Sequence, residues 1–221
     1  MNVRAPGTDT GAGLGARLVS VGVVAGLALG AIVALPTSAR AQAPVASDAD
    51  RFFVNVASLC GKAFTGRVAA NEPTPTAADP FEGKTLVFHV RRCSKDRLEL
   101  PFHVGDDRSR TWVLTRPGGA LLLKHDHRHR DGSSDSLTMY GGVTRTAGTA
   151  SRQEFPTDSE SKDLFTRLKL PVSLPNVWAM EIEPGRRFVY ELARPGRLFR
   201  VEFDLTLEVP VPPAPWGHEE K

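Results

Sequence analysis

The sequence predicts an all-β fold, an antiparallel up-and-down β-barrel (calycin-like) of about nine or ten strands with one or two short helices. Three observations carry that expectation. Short runs of alternating apolar and polar residues recur from Thr85 to Leu207, the plainest being Phe199, Val201, Phe203, Leu205 and Leu207 set against Arg200, Glu202 and Asp204. Turn signals separate them, as in P-G-G-A after Arg116, P-G-R-R after Glu183 and R-P-G-R after Ala193. No strand–helix–strand rhythm is present, and successive hairpins favour the up-and-down order over a Greek key.

Taken in order, residues 1–41 read as a secretory signal peptide. Arg4 and Arg17 precede an uncharged run from Leu18 to Leu35, and P-T-S-A-R-A then places small residues at Ala39 and Ala41 for cleavage. A retained membrane anchor is the competing reading, because the run approaches spanning length. Cleavage implies a bacterial periplasmic or secreted protein with no membrane contact afterwards. Residues 42–208 then form the barrel domain. Residues 209–221 are a Pro-rich tail, V-P-V-P-P-A-P-W-G-H and beyond, extended over the surface and pinned by Trp216.

The elements of the barrel domain follow from their residues. Ser47 caps a helix reaching Leu59, with Asp48 and Asp50 in its first turn and Phe52, Phe53, Val56 and Leu59 as its apolar side. Residues 60–70 read as a first strand whose two glycines mark a bend or bulge. Strands are expected at Thr85–Cys93, Arg97–Val104, Thr111–Arg116, Leu121–His129, Leu137–Val143 and Ser151–Phe155. Asp158 or Ser159 opens a helix that ends before Pro171. Val177–Glu183, Arg187–Arg194 and Leu198–Leu207 complete the series.

Composition excludes some function classes. The chain of 221 residues is 41% hydrophobic and 24% charged, ordinary for a globular protein. Loss of residues 1–41 takes Arg4, Arg17, Arg40 and Asp9 away, so the formal charge of +3 becomes about +1. A nearly neutral mature chain argues against a nucleic-acid partner, which would need uncompensated Lys and Arg. A monomer is expected. Cys60 and Cys93 are the only cysteines, and export favours a disulfide between them over free thiols. Closing a loop of about 33 residues contributes roughly 3–4 kcal/mol in the chain-entropy view.

The chemistry concentrates in L-L-L-K-H-D-H-R-H-R-D, residues 121–131. As a strand it puts Leu121, Leu123, His125, His127 and His129 on one face and Leu122, Lys124, Asp126, Arg128 and Arg130 on the other. An even-numbered hairpin loop at P-G-G-A places Trp112 and Leu114 on the histidine face, with Arg110 and Arg108 beside the imidazoles.

Three readings compete there. An anionic small-molecule ligand would sit among Arg108, Arg110, Trp112, His125, His127 and His129, with arginine offering a fork to a carboxylate. A divalent metal such as zinc would use His125, His127 and His103 and make the protein a metal-dependent periplasmic enzyme. Row geometry bears on that second reading, because His125 to His129 spans roughly 13 Å and the three cannot share one ion unaided. A solvated ionic network closing one barrel end is the bland alternative. Glu181 and Glu183 share a strand face that solvent explains, and no nucleophile elbow is present. Binding of a small molecule is therefore favoured over catalysis, with an envelope protein-interaction module as a further alternative.

The strings H-V-G-D-D-R-S-R-T-W-V-L-T, L-K-H-D-H-R-H-R-D-G-S, M-Y-G-G, N-V-W-A-M-E-I-E-P-G and P-P-A-P-W-G-H together resemble a group of uncharacterised secreted bacterial proteins of this size. That resemblance covers most of the mature chain and implies export and one compact domain, with no site residues to carry over. In strand count the barrel also resembles the lipocalin and fatty-acid-binding group. Gly61 to Gly66 lacks that group's glycine-x-tryptophan start, so this is a likeness of fold only.

Overall fold

The computed structural model describes residues 46–76 and 79–219, together with Gly15, Leu18, Ser20 and Gly22. The expected signal peptide and its cleavage point lie outside the described residues apart from those four positions. The barrel domain opens with α1 (Asp48–Ala57), where Ser47 and Asp50 form a reciprocal capping box. Alternation then dictates strands: β1 (Ala63–Glu72), β2 (Leu86–His89), β3 (Arg92–Cys93), β4 (Arg97–Val104), β5 (Asp107–Thr115), β6 (Leu122–His127), β7 (Tyr140–Val143) and β8 (Arg152–Pro156). After α2 (Ser159–Arg167) come β9 (Val177–Glu183), β10 (Arg187–Arg194) and β11 (Arg197–Val209).

Every pairing is antiparallel, in the spatial order β7-β6-β5-β4-β2-β1-β11-β10-β9-β8, with β3 pairing β4 off that path. Apart from β1 beside β11, where the first and last strands meet, neighbours on the path follow one another along the chain, which is the expected up-and-down barrel. The ring is nearly closed where β7 meets β8, through the bridge pair of Gly142 with Thr157 and a 3.1 Å bond from the Asp158 N–H to the Gly141 carbonyl. Close approach needs glycine here. A Cβ on Gly142 would lie 2.2 Å from the Pro156 carbonyl oxygen, and one on Gly141 would lie 1.8 Å from that of Leu123.

The interior is mostly filled by aromatic rings. Phe88 stacks on Phe188 at 4.3 Å between centroids, Phe102 on Trp112 at 5.0 Å, and Phe203 meets Phe102 edge-on at 5.7 Å. Phe52, Phe53 and Val56 of α1 join this core. The helix is anchored at one end of the barrel: Asn55 donates to the Ala150 carbonyl, and Arg116, just past β5, pairs with Asp50 at 3.1 Å and covers the Phe53 ring. The opposite end carries the β1–β2 loop, the Arg194–Arg197 turn and the chain leaving β6. Cys60 and Cys93 are joined, tying the end of α1 to β3 across a Cα separation of 6.2 Å.

The expected strand at Thr85–Cys93 is two strands, because Val90 exchanges its backbone bonds with Gly61 and Lys62 and the chain re-enters the sheet only at Arg92. Beyond Val209 the tail is extended and crosses the outer wall. The Trp216 N–H donates to the Arg108 carbonyl, Arg108 Nη1 donates to the Ala214 carbonyl at 2.8 Å, and His218 Nε2 meets Asp126 Oδ2 at 2.9 Å. His218 adds to the anchorage at Trp216, its carbonyl also accepting from Arg91 Nη2 at 2.9 Å.

Candidate functional site

The β5–β6 hairpin builds the site. Its register sets Arg110 opposite His127, Trp112 opposite His125 and Leu114 opposite Leu123, so all six share the interior face. At the end of the barrel away from α1, the first four of these residues line a cavity of about 190 Å³ with Phe81, Phe102, Tyr140, Tyr190, Leu192, Arg197 and Phe199. Of the expected ligand residues, Arg110, Trp112, His125 and His127 are brought together.

Arg108 and His129 are placed elsewhere. A bulge gives β5 one extra residue, since Phe102 pairs with Arg110 but Val104 pairs with Asp107. The extra residue throws Arg108 onto the outer wall, under the C-terminal tail. His129 lies past the end of β6, in a turn where its carbonyl accepts from the Gly132 N–H at 2.9 Å, and it is exposed. The histidines His103, His125 and His127 are not brought together as a metal set either. Alternation along β4 sends Phe102 into the cavity and His103 to the outer face, beside Val87, Arg108 and Trp216. Among the described residues no three His, Cys, Asp or Glu side chains converge on a point suited to a metal.

The ionisation state of the cavity follows from its hydrogen bonds. His125 Nδ1 lies 3.1 Å from the Tyr140 carbonyl, which can only accept, so Nδ1 bears the proton. Nε2 is then free to accept from the Tyr190 hydroxyl at 2.8 Å. Burial pushes the His125 pKa down to about 3. His127 is held down to about 4, by burial first and by the Arg110 charge second. Its Nε2 lies 3.3 Å from the Tyr140 hydroxyl. Burial raises Tyr140 to about 12 and Tyr190 well above its ordinary value. At neutral pH both imidazoles and both phenols are therefore uncharged.

Among the described residues, charge in the lining comes from two guanidinium groups alone. Arg110 Nη1 pairs with Asp107 Oδ2 at 2.5 Å, and its guanidinium lies 5.9 Å from the Phe81 ring centre. Burial by itself would raise Asp107, but its bonds to Ser109 and the Arg110 charge outweigh that and keep the carboxyl below its usual range. Arg197 donates Nη1 to the carbonyls of Glu72 and Leu198, at 3.1 and 2.7 Å. In the sequence Arg197 follows a turn proline and glycine, where a charge reads as ordinary hairpin surface, so nothing local singles it out. Phe81 belongs to a loop, and the Asp79 carboxylate that accepts from its N–H at 2.9 Å helps to hold it inward. No family model matches the chain, and no curated protein or solved structure matches it.

Proposed function

We propose that this chain is an exported binding protein that takes a small anionic molecule into the open end of its barrel. One observation carries the reading: a cavity walled by aromatic rings contains two guanidinium groups and no carboxylate in its lining among the described residues. Such a site favours a ligand with an apolar body and an acidic head, because arginine recognises planar oxyanions through paired donors. The signal-like residues 1–41 and the Cys60–Cys93 disulfide support export, since disulfides persist outside the cytosol.

Binding fits the cavity better than proton-transfer catalysis does. A general acid or base works best with a pKa near the working pH. Burial moves His125 and His127 down to about 3 and about 4 and Tyr140 up to about 12, away from that range on both sides. The test is a titration of tryptophan fluorescence, to which Trp112 of the cavity wall contributes, with small organic acids and their uncharged amides. Saturable quenching by acids that is weakened in Arg110→Gln is expected; equal response to acid and amide would remove the proposal.

A further inference from the structure

Resting on that reading, we infer that the ligand is a monocarboxylate with a single aromatic ring, its carboxylate seated on the free edge of Arg197. Charge, donor geometry and volume each narrow the class in a different way.

Charge comes first. Arg110 already has a carboxylate partner in Asp107, whereas Arg197 has none among the described residues. The remaining polar groups of the lining, His125, His127, Tyr140 and Tyr190, are neutral at physiological pH for the reasons given above. Arg197 is therefore the one guanidinium of the lining that no carboxylate contacts among the described residues. A single carboxylate matches it. A dianion would bring a second negative charge for which the lining holds no free guanidinium among the described residues.

Donor geometry names the head group. Nη1 of Arg197 is occupied by the two carbonyls, which fixes the plane of the guanidinium and leaves Nε–H and Nη2–H without partners among the described residues. Those two parallel donors are the edge that matches the two oxygens of a carboxylate. Arg197 thus sits pre-oriented, one nitrogen held by the turn and its fork left over. Its guanidinium also lies 5.7 Å from the Phe199 ring centre, so the fork is held beside an aromatic wall.

Volume and lining name the body. About 190 Å³ holds about six water volumes at roughly 30 Å³ each, below the usual range for drug-sized ligands. A substituted ring fits this space and a long acyl chain does not. The walls offer planar surfaces: Phe81 lies 4.6 Å from Phe199 and 6.1 Å from Phe102, His125 stacks on Tyr140 at 4.7 Å, and Trp112 stacks on Tyr190 at 4.3 Å. Flat faces favour a flat guest, which gains offset-stacked contacts that a flexible chain cannot make.

The test is calorimetric titration of the full mature chain at neutral pH with benzoate, benzamide, phthalate, phenyl phosphate and hexanoate. Benzoate is expected to bind most tightly, and benzamide about tenfold or more weakly, since a charge-assisted bidentate contact is lost. Arg197→Gln should abolish the preference of benzoate over benzamide, and Arg197→Lys should restore only part of it. Near-UV circular dichroism of each variant checks that the barrel is intact. Phthalate, phenyl phosphate or hexanoate binding more tightly than benzoate overturns the inference, as does an Arg197→Gln variant that folds and keeps the preference; either leaves anion binding itself standing. Failure of all the acids to bind overturns both.

Discussion

Acidification from pH 7 to pH 5 should remove much of the folding stability, well before the carboxylates titrate. His89, His103 and His125 are 4%, 3% and 2% exposed, and burial is the leading cause that pushes their pKa values down to about 4, about 4 and about 3. In the unfolded chain each titrates near its ordinary value of about 6.5. A depressed folded pKa means that the native barrel keeps the ring neutral while the unfolded chain takes up a proton. Stability therefore rises with pH up to about 6.5, from about 4 for His89 and His103 and from about 3 for His125, and is lost as pH falls through that window. From pH 7 to pH 5 each ring removes about 2 kcal/mol, and the three about 6 kcal/mol, comparable with the whole stability of a marginal domain. His127, also lowered, acts in the same direction. Asp107, Asp126 and Asp158 are held below the usual carboxylate range, so they stay ionised between pH 7 and pH 5. Urea unfolding at pH 7, 6 and 5, followed by tryptophan fluorescence, should show the midpoint falling at each step. A midpoint unchanged between pH 7 and pH 5 would refute the argument that these imidazoles are buried neutral.

Other perturbations have equally definite outcomes. Gly142→Ala forces a Cβ against the Pro156 carbonyl at 2.2 Å, so it should cost about 1–3 kcal/mol by overpacking and speed amide exchange at Thr157 and Asp158, read by hydrogen-exchange mass spectrometry. Replacing both Cys60 and Cys93 by serine should lower stability by roughly 3–4 kcal/mol, measured by urea unfolding at constant pH. His218→Ala leaves Asp126, which is 6% exposed, with one fewer partner; a loss of about 1–3 kcal/mol and faster proteolysis of the tail after Val209 are expected.

Sequence reasoning reaches the fold because alternation is a local property that survives into three dimensions. The run from Phe199 to Leu207 and the pairing of Trp112 with His125 are both written in side-chain parity. Parity also explains the failures. A bulge adds one residue without changing the composition of β5, so Arg108 and Arg110 look equivalent on paper and lie on opposite faces of the wall. His103 carries its own parity plainly, opposite to Phe102, but a metal set drawn from residue type alone ignores it. Arg197 and Phe81 depend on long-range placement: one sits at a turn that meets Glu72, the other in a loop folded back over Phe199. Nothing in either neighbourhood of the chain announces the meeting.

The inserted residue in β5 also separates what the two faces of the wall can change independently. Removing Ser109 would straighten the strand, yet Arg110 would stay opposite Phe102 and His127 in the chamber, and Arg108 would stay outside, opposite His103. Length at that spot therefore tunes the seat of the C-terminal tail and leaves the chamber's own charge alone.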